Sequence, residues 1–155
     1  MLMELHEKKQ CTPPAKRAKR CFKATKADYP ELCGFISDFV SGYTSDRKTL
    51  NDIEISVDEI FSNIQYYSSA DESKPTDICL ELSCSDGVLS LVFADNGVPF
   101  NPLEKAKPSL AENRKNKVIG GFGIFMVRNL MDEVSYQYDN KNILSIKKKL
   151  QEKSV

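Results

Sequence analysis

Apolar positions along the chain change their period several times, and each change marks an element. Leu32, Phe35, Ile36, Phe39 and Val40 fall at helical spacing, with Pro30 suited to a first turn and Gly42 to an ending, which predicts a first helix. Leu50, Ile53, Val57, Ile60, Phe61 and Ile64 then share one face of a longer helix running from about 46 to 69. Lys74 and Pro75 break that pattern. Ile78 to Leu82 and Val88 to Phe93 read as two strands joined through Ser85-Asp86-Gly87, a hairpin signal. A short helix over Ile124 to Met131 and a second hairpin, Val134 to Tyr138 and Ile143 to Leu150 across Asp139-Asn140, complete the chain. With an edge strand from Arg20 to Lys26, the order becomes β-α-α-β-β-loop-α-β-β. This order predicts an α/β (α+β) two-layer sandwich, with helices on one face of a mixed, mainly antiparallel sheet.

The intervening stretch from Asp95 to Lys117 is polar and carries Pro99, Pro102 and Pro108, with a short helix expected around Leu110. A loop of that length inside a compact domain is usually either functional or disordered, and a lid over a ligand is a common case. The chain has 155 residues, enough for one domain with a real core but not for two. Expected boundaries are a flexible basic tail at 1–19, the domain at 20–150 and a short tail at 151–155.

Charge refines this picture in one place. The 22 basic and 22 acidic residues cancel, so the whole molecule lacks the field that would draw it to nucleic acid or anionic lipid. Residues 1–26 nevertheless carry eight Lys and Arg against Glu4 and Glu7. That stretch reads either as a docking patch or as a solvated arm. Nothing approaches the roughly 18 consecutive apolar residues of a membrane helix, and no secretory signal precedes the domain. Cys11, Cys21, Cys33, Cys79 and Cys84 are odd in number and lack a C-x-x-C pair, so reduced thiols in a cytoplasmic protein are expected.

Three clusters carry candidate chemistry. Glu59 and Asn63 lie at i and i+4 of the long helix, in the polar line Asp52, Ser56, Glu59, Asn63, Tyr66. A carboxylate and an amide oxygen so placed can orient a nucleophile and ligate a hard cation such as Mg²⁺. Taken alone, the same spacing also describes an ordinary solvated face. Asp95-Asn96-Gly97-Val98-Pro99-Phe100 follows an apolar strand and would hold Asp95 at its end, where it can accept a hydrogen bond from an exocyclic amine. The bland alternative is an Asx turn. Gly120, Gly121 and Gly123 open a helix, leaving N–H groups bare at its positive end, where phosphate binds well. A Rossmann reading fails for want of a βαβ unit, and no Walker A lysine follows.

In this order the three clusters resemble the GHKL ATPase family, with its N-box and glycine boxes on a Bergerat-type sandwich. The segments Val57 to Ile64, Asp95 to Pro102 and Gly120 to Val134 are most similar to the anti-sigma-factor serine kinase branch. Pro99-Phe100 and Met131-Asp132-Glu133-Val134 are the most specific pieces, and the likeness spans about residues 20 to 150. It implies ATP and Mg²⁺ as cofactors, Glu59 as general base, and Asn63 as the residue holding Mg²⁺ against the phosphates. It also implies Asp95 reading the adenine amine, Gly97 admitting the base, and Gly121 and Gly123 cradling phosphates. The implied partners are an antagonist protein phosphorylated on serine, a sigma factor held in complex, and a second copy of the chain as a homodimer.

The only histidine, His6, lies in the tail with no long helix to carry it, which argues against histidine autophosphorylation. Gln65-Tyr66-Tyr67-Ser68-Ser69 departs from the branch pattern, which has a basic residue and a Tyr-Ala-Tyr-like run there. That departure bears on partner recognition. An alternative function is therefore a non-catalytic ATP-binding switch that regulates its partner by binding alone.

Overall fold

The computed structural model describes residues 16–67, 73–104 and 123–151. The basic stretch before Lys16, the expected lid with its turn around Leu110, and Gly120 and Gly121 lie outside the described residues. Five strands form one sheet in the order β1-β2-β3-β5-β4: β1 Lys16–Lys23, β2 Asp77–Ser85, β3 Val88–Asp95, β4 Glu133–Tyr138 and β5 Asn142–Lys149. Three helices are described: α1 Tyr29–Val40, α2 Arg47–Tyr67 and α3 Gly123–Leu130. A single 3₁₀ turn, Pro102–Glu104, follows β3.

The sheet is the mainly antiparallel one expected, and all its described pairings are antiparallel rather than mixed. The reason is topological. Two helices carry the chain away from β1 and back, so Asp77 begins β2 directly opposite Lys23, which ends β1. The β2–β3 hairpin turns through Asp86 and Gly87, both with positive φ (52° and 74°), the backbone that matches strand twist in a two-residue turn. β1 also starts earlier than Arg20, because Lys16, Arg17, Ala18 and Lys19 already pair with β2. Their charge hides the strand in the sequence, since an edge strand is free to point lysine and arginine at solvent.

Leu80, Leu82, Leu89, Leu91, Phe93 and Ile146 are fully buried on the helix-covered face, against Leu32 of α1, Ile60 of α2 and Val127 of α3. Asp46 caps α2, accepting hydrogen bonds from the Thr49 N–H (3.0 Å) and hydroxyl (2.7 Å). The polar line predicted along α2 splits. Asp52 and Ser56 are buried, Tyr66 is exposed, and Glu59 and Asn63 lie between these extremes. Lys148 of β5 donates to the Asp52 carboxylate (3.0 Å) and to the Leu130 carbonyl that ends α3. That one ammonium ties α2, α3 and β5 together and so fixes where α2 meets α3.

The thiol expectation fails at one pair: Cys21 and Cys79 form a disulfide between β1 and β2. They are 58 residues apart in sequence and face each other with Cα atoms 4.0 Å apart, the narrow kind of antiparallel pair. Spacing rules do not detect a partnership that depends on strand register. Cys33 and Cys84 are free thiols. No helix among the described residues is long and apolar enough to cross a membrane.

Candidate functional site

α2, the end of β3 and the start of β5 enclose a pocket lined by Asn63, Ile64, Tyr67, Asp95, Phe100 and Asn142, among others. Its cavity volume is only about 30 Å³, enough for about one or two waters. Asn63 and Asp95, predicted from separate motifs, thus face one cavity. Asp95 is only 5% exposed, and its register partner on β5 is Asn142, at 4%. Burial pushes the Asp95 carboxyl above its ordinary range, opposed by hydrogen bonds from the Asn142 amide and the Gly97 N–H. Both bonds reach Oδ1 at 2.9 Å.

Gly97 follows Asp95 in the loop. Among the described glycines only Gly87 has a positive φ, so Gly97 contributes backbone contacts instead: its N–H to Asp95, and its carbonyl to Asn142 at 3.3 Å. Phe100 stacks on Tyr67, the last residue of α2, with ring centres 4.6 Å apart and planes 14° from parallel. The departure from the branch pattern at Tyr66-Tyr67 therefore supplies a wall of this pocket.

Glu59 does not line that pocket. It sits one turn before Asn63 on α2, and its carboxylate rests against Gly123, the first residue of α3. A Cβ added to Gly123 would come within 2.9 Å of the Glu59 carboxyl carbon. Only glycine leaves that space open. The Glu59 carboxyl is raised, first by burial and then by the neighbouring Asp58 charge. A partly buried carboxylate with raised proton affinity suits a general base. α2 is the element common to both pairs, Asn63 with Asp95 and Glu59 with Gly123. Gly121 lies outside the described residues.

Sequence reasoning missed Asn142. It looks like a polar residue after a turn, and only the β3–β5 register reveals it opposite Asp95.

Comparison with known proteins accords with this arrangement. Residues 22–148 match the family model described as a histidine kinase-like ATPase domain. A serine-protein kinase RsbW of Bacillus licheniformis is 26% identical over 148 residues, covering 90% of this chain and 92% of that protein. An anti-sigma F factor of Clostridium perfringens is 28% identical over 116 residues, covering 74% and 81%. Among solved structures, that of the RsbU and RsbW domains of Rv1364c from Mycobacterium tuberculosis aligns with a TM-score of 0.62 at 13% identity. It covers 87% of this chain, which spans about a third (32%) of that longer one, and the likeness shows the shared fold. The relatives it resembles are named serine-protein kinase RsbW and anti-sigma F factor, and the chain belongs to the histidine kinase-like ATPase domain family.

Proposed function

We propose that the protein is a Mg·ATP-dependent serine/threonine protein kinase of the anti-sigma-factor type, which phosphorylates a serine of an antagonist protein and sequesters a sigma factor. The observation that carries this reading is the placement of Glu59 and Asn63 one turn apart on α2. One faces Gly123 at the start of α3, and the other shares a pocket with Asp95.

In this reading the Asp95 carboxylate accepts a hydrogen bond from the adenine amine at the pocket floor, and the triphosphate runs along α2 toward Gly123. The donor set fits Mg²⁺. Asn63, which lines the pocket with Asp95, offers one amide oxygen, a hard donor of the kind Mg²⁺ takes. Mg²⁺ commonly keeps water and phosphate oxygens as most of its shell. When bound, the ion neutralises phosphate charge. A Glu59 carboxylate oxygen takes the proton of the serine hydroxyl as the serine oxygen bonds to the γ-phosphorus. The bond from the γ-phosphorus to the β,γ-bridging oxygen breaks, and ADP leaves.

The Tyr67–Phe100 stack favours a second reading, a switch that binds ATP without transferring phosphate. The two rings occupy the wall of the pocket a base must enter, so binding would part them and move the loop after β3. One experiment separates the two: the purified chain, labelled ATP with Mg²⁺, and candidate antagonist proteins. Phosphoserine on the antagonist, reduced about 10²- to 10⁴-fold by Glu59→Gln at unchanged ATP affinity, is the kinase outcome. Tight complexes without phosphoserine are the switch outcome, and full transfer by Glu59→Gln would remove the base from Glu59.

A further inference from the structure

We infer that Asn142 is a specificity-determining positioning residue, which presents one oxygen of Asp95 to the base and holds the loop that frames it. This rests on the ATP reading of the pocket and extends it to a residue outside the three motifs.

The geometry is that of a hub. The Asn142 Nδ2 donates to Asp95 Oδ1 at 2.9 Å and to the Val98 carbonyl at 3.0 Å, with the Gly97 carbonyl at 3.3 Å. Its Oδ1 accepts from the Phe100 N–H at 3.0 Å and from the Tyr136 hydroxyl. Each end of the carboxamide is thus occupied, and a buried amide so satisfied has one orientation. Among the described residues both donors to the Asp95 carboxylate, Gly97 N–H and Asn142 Nδ2, converge on Oδ1. The carboxylate is therefore clamped by one oxygen, and Oδ2 is the atom left to meet an exocyclic amine. Because the same amide grips the carbonyls of 97 and 98 and the N–H of Phe100, it sets Asp95 and the loop as one unit.

An amide is required for this. A carboxylate of the same shape at 142 would bring a like charge against Asp95 and lose the donors. An aliphatic side chain would leave the carbonyls of the loop without partners. Leu144, two residues on along the same strand face, shows that an apolar side chain is accommodated at this wall where no carboxylate needs holding.

The test compares binding of ATP with binding of inosine triphosphate, which carries a carbonyl in place of the 6-amine, by titration calorimetry. The wild-type protein should prefer ATP. Asn142→Ala and Asn142→Asp should each cut that preference about tenfold, the scale of losing one hydrogen bond to a charged group, with ATP weakened more than inosine triphosphate. Inosine triphosphate binding also reports that the variants are folded. Tyr136→Phe removes one of the two donors to the Asn142 oxygen at a less buried site, so it provides a foldable third variant with a smaller loss of preference, about two- to threefold. If the wild-type protein discriminates but all three variants keep its ratio, Asn142 has no positioning role and the ATP reading survives. Equal weakening of both nucleotides would make Asn142 a structural residue only, which also overturns the inference. If the wild-type protein binds neither nucleotide, or both alike, the reading of Asp95 fails and this inference falls with it.

Discussion

The two ends of the site are built on opposite principles. At the Asp95 end, a carboxylate 5% exposed is held by an amide 4% exposed, and five hydrogen-bonding partners fix that amide from three directions: β3, the loop after it, and β4. At the Glu59 end, the carboxylate is partly buried, and its notable neighbours are the missing side chain of Gly123 and the charge of Asp58. Under the proposed function, the first end is a rigid recognition surface whose cost is a desolvated charge, and the second leaves a base room to adjust. A group that reads a flat heterocycle gains from a single geometry, whereas one that removes a proton must accept its partner and then release it.

Asp95→Asn should give the largest effect on nucleotide binding. The amide is isosteric, and its oxygen still accepts from Gly97 and Asn142, but its other end becomes a donor facing the adenine amine. ATP affinity should fall about 10- to 100-fold, from the lost charge-assisted bond and the donor-to-donor contact. Inosine triphosphate, offering a carbonyl, should bind the variant no worse than the wild-type protein. If ATP binds both proteins alike, the rigid end is not a recognition surface and the contrast between the two ends disappears.

Gly123→Ala attacks the other end. Alanine favours a helix start over glycine, so stability should hold or rise slightly. The added methyl occupies the space of the Glu59 carboxylate, and because the obstructed group is the tip of a flexible side chain, Glu59 moves and α3 stays. Transfer should drop about tenfold or more at unchanged ATP affinity, since a displacement near 1 Å in a catalytic group costs on that scale. The sequence assigned Gly123 to phosphate binding. Were that its main role, the same variant would lose ATP affinity first, so the ratio of the two losses decides what the glycine is for.

Much of this architecture is legible in the chain itself, for a physical reason. Ile53, Val57, Ile60 and Ile64 record helical burial locally, and Leu80, Leu82, Leu89 and Leu91 record strand alternation, so α2 and the first hairpin follow from period alone. The motif residues Glu59, Asn63 and Asp95 are equally local. What escaped depends on register. Asn142 meets Asp95, and Cys21 meets Cys79, only because particular strands pair at particular positions. The first four residues of β1 escaped because an exposed edge has no apolar alternation to read. Tyr67 was visible as a departure from pattern, yet its use as a pocket wall required Phe100 to be placed beside it.

The smallest expected effect concerns stability without ligand. Burial raises the Asp95 carboxyl above its ordinary 3.8, although Asn142 and Gly97 pull it back. The folded protein therefore holds this proton to a higher pH than the unfolded chain does. The resulting stabilisation is complete below the ordinary value and is lost as pH rises through the folded value, because deprotonation leaves a charge in a poorly solvated site. Asp95→Asn has no such titration. The melting temperature of the variant minus that of the wild-type protein should increase as pH rises from about 4 toward neutrality. Saturating ATP should reverse the order, because only the wild-type protein binds it tightly. A difference that stays flat across that range would mean the Asn142 and Gly97 bonds fully offset the lost hydration. The rigid end would then carry no energetic penalty, and its contrast with the Glu59 end would be one of geometry alone.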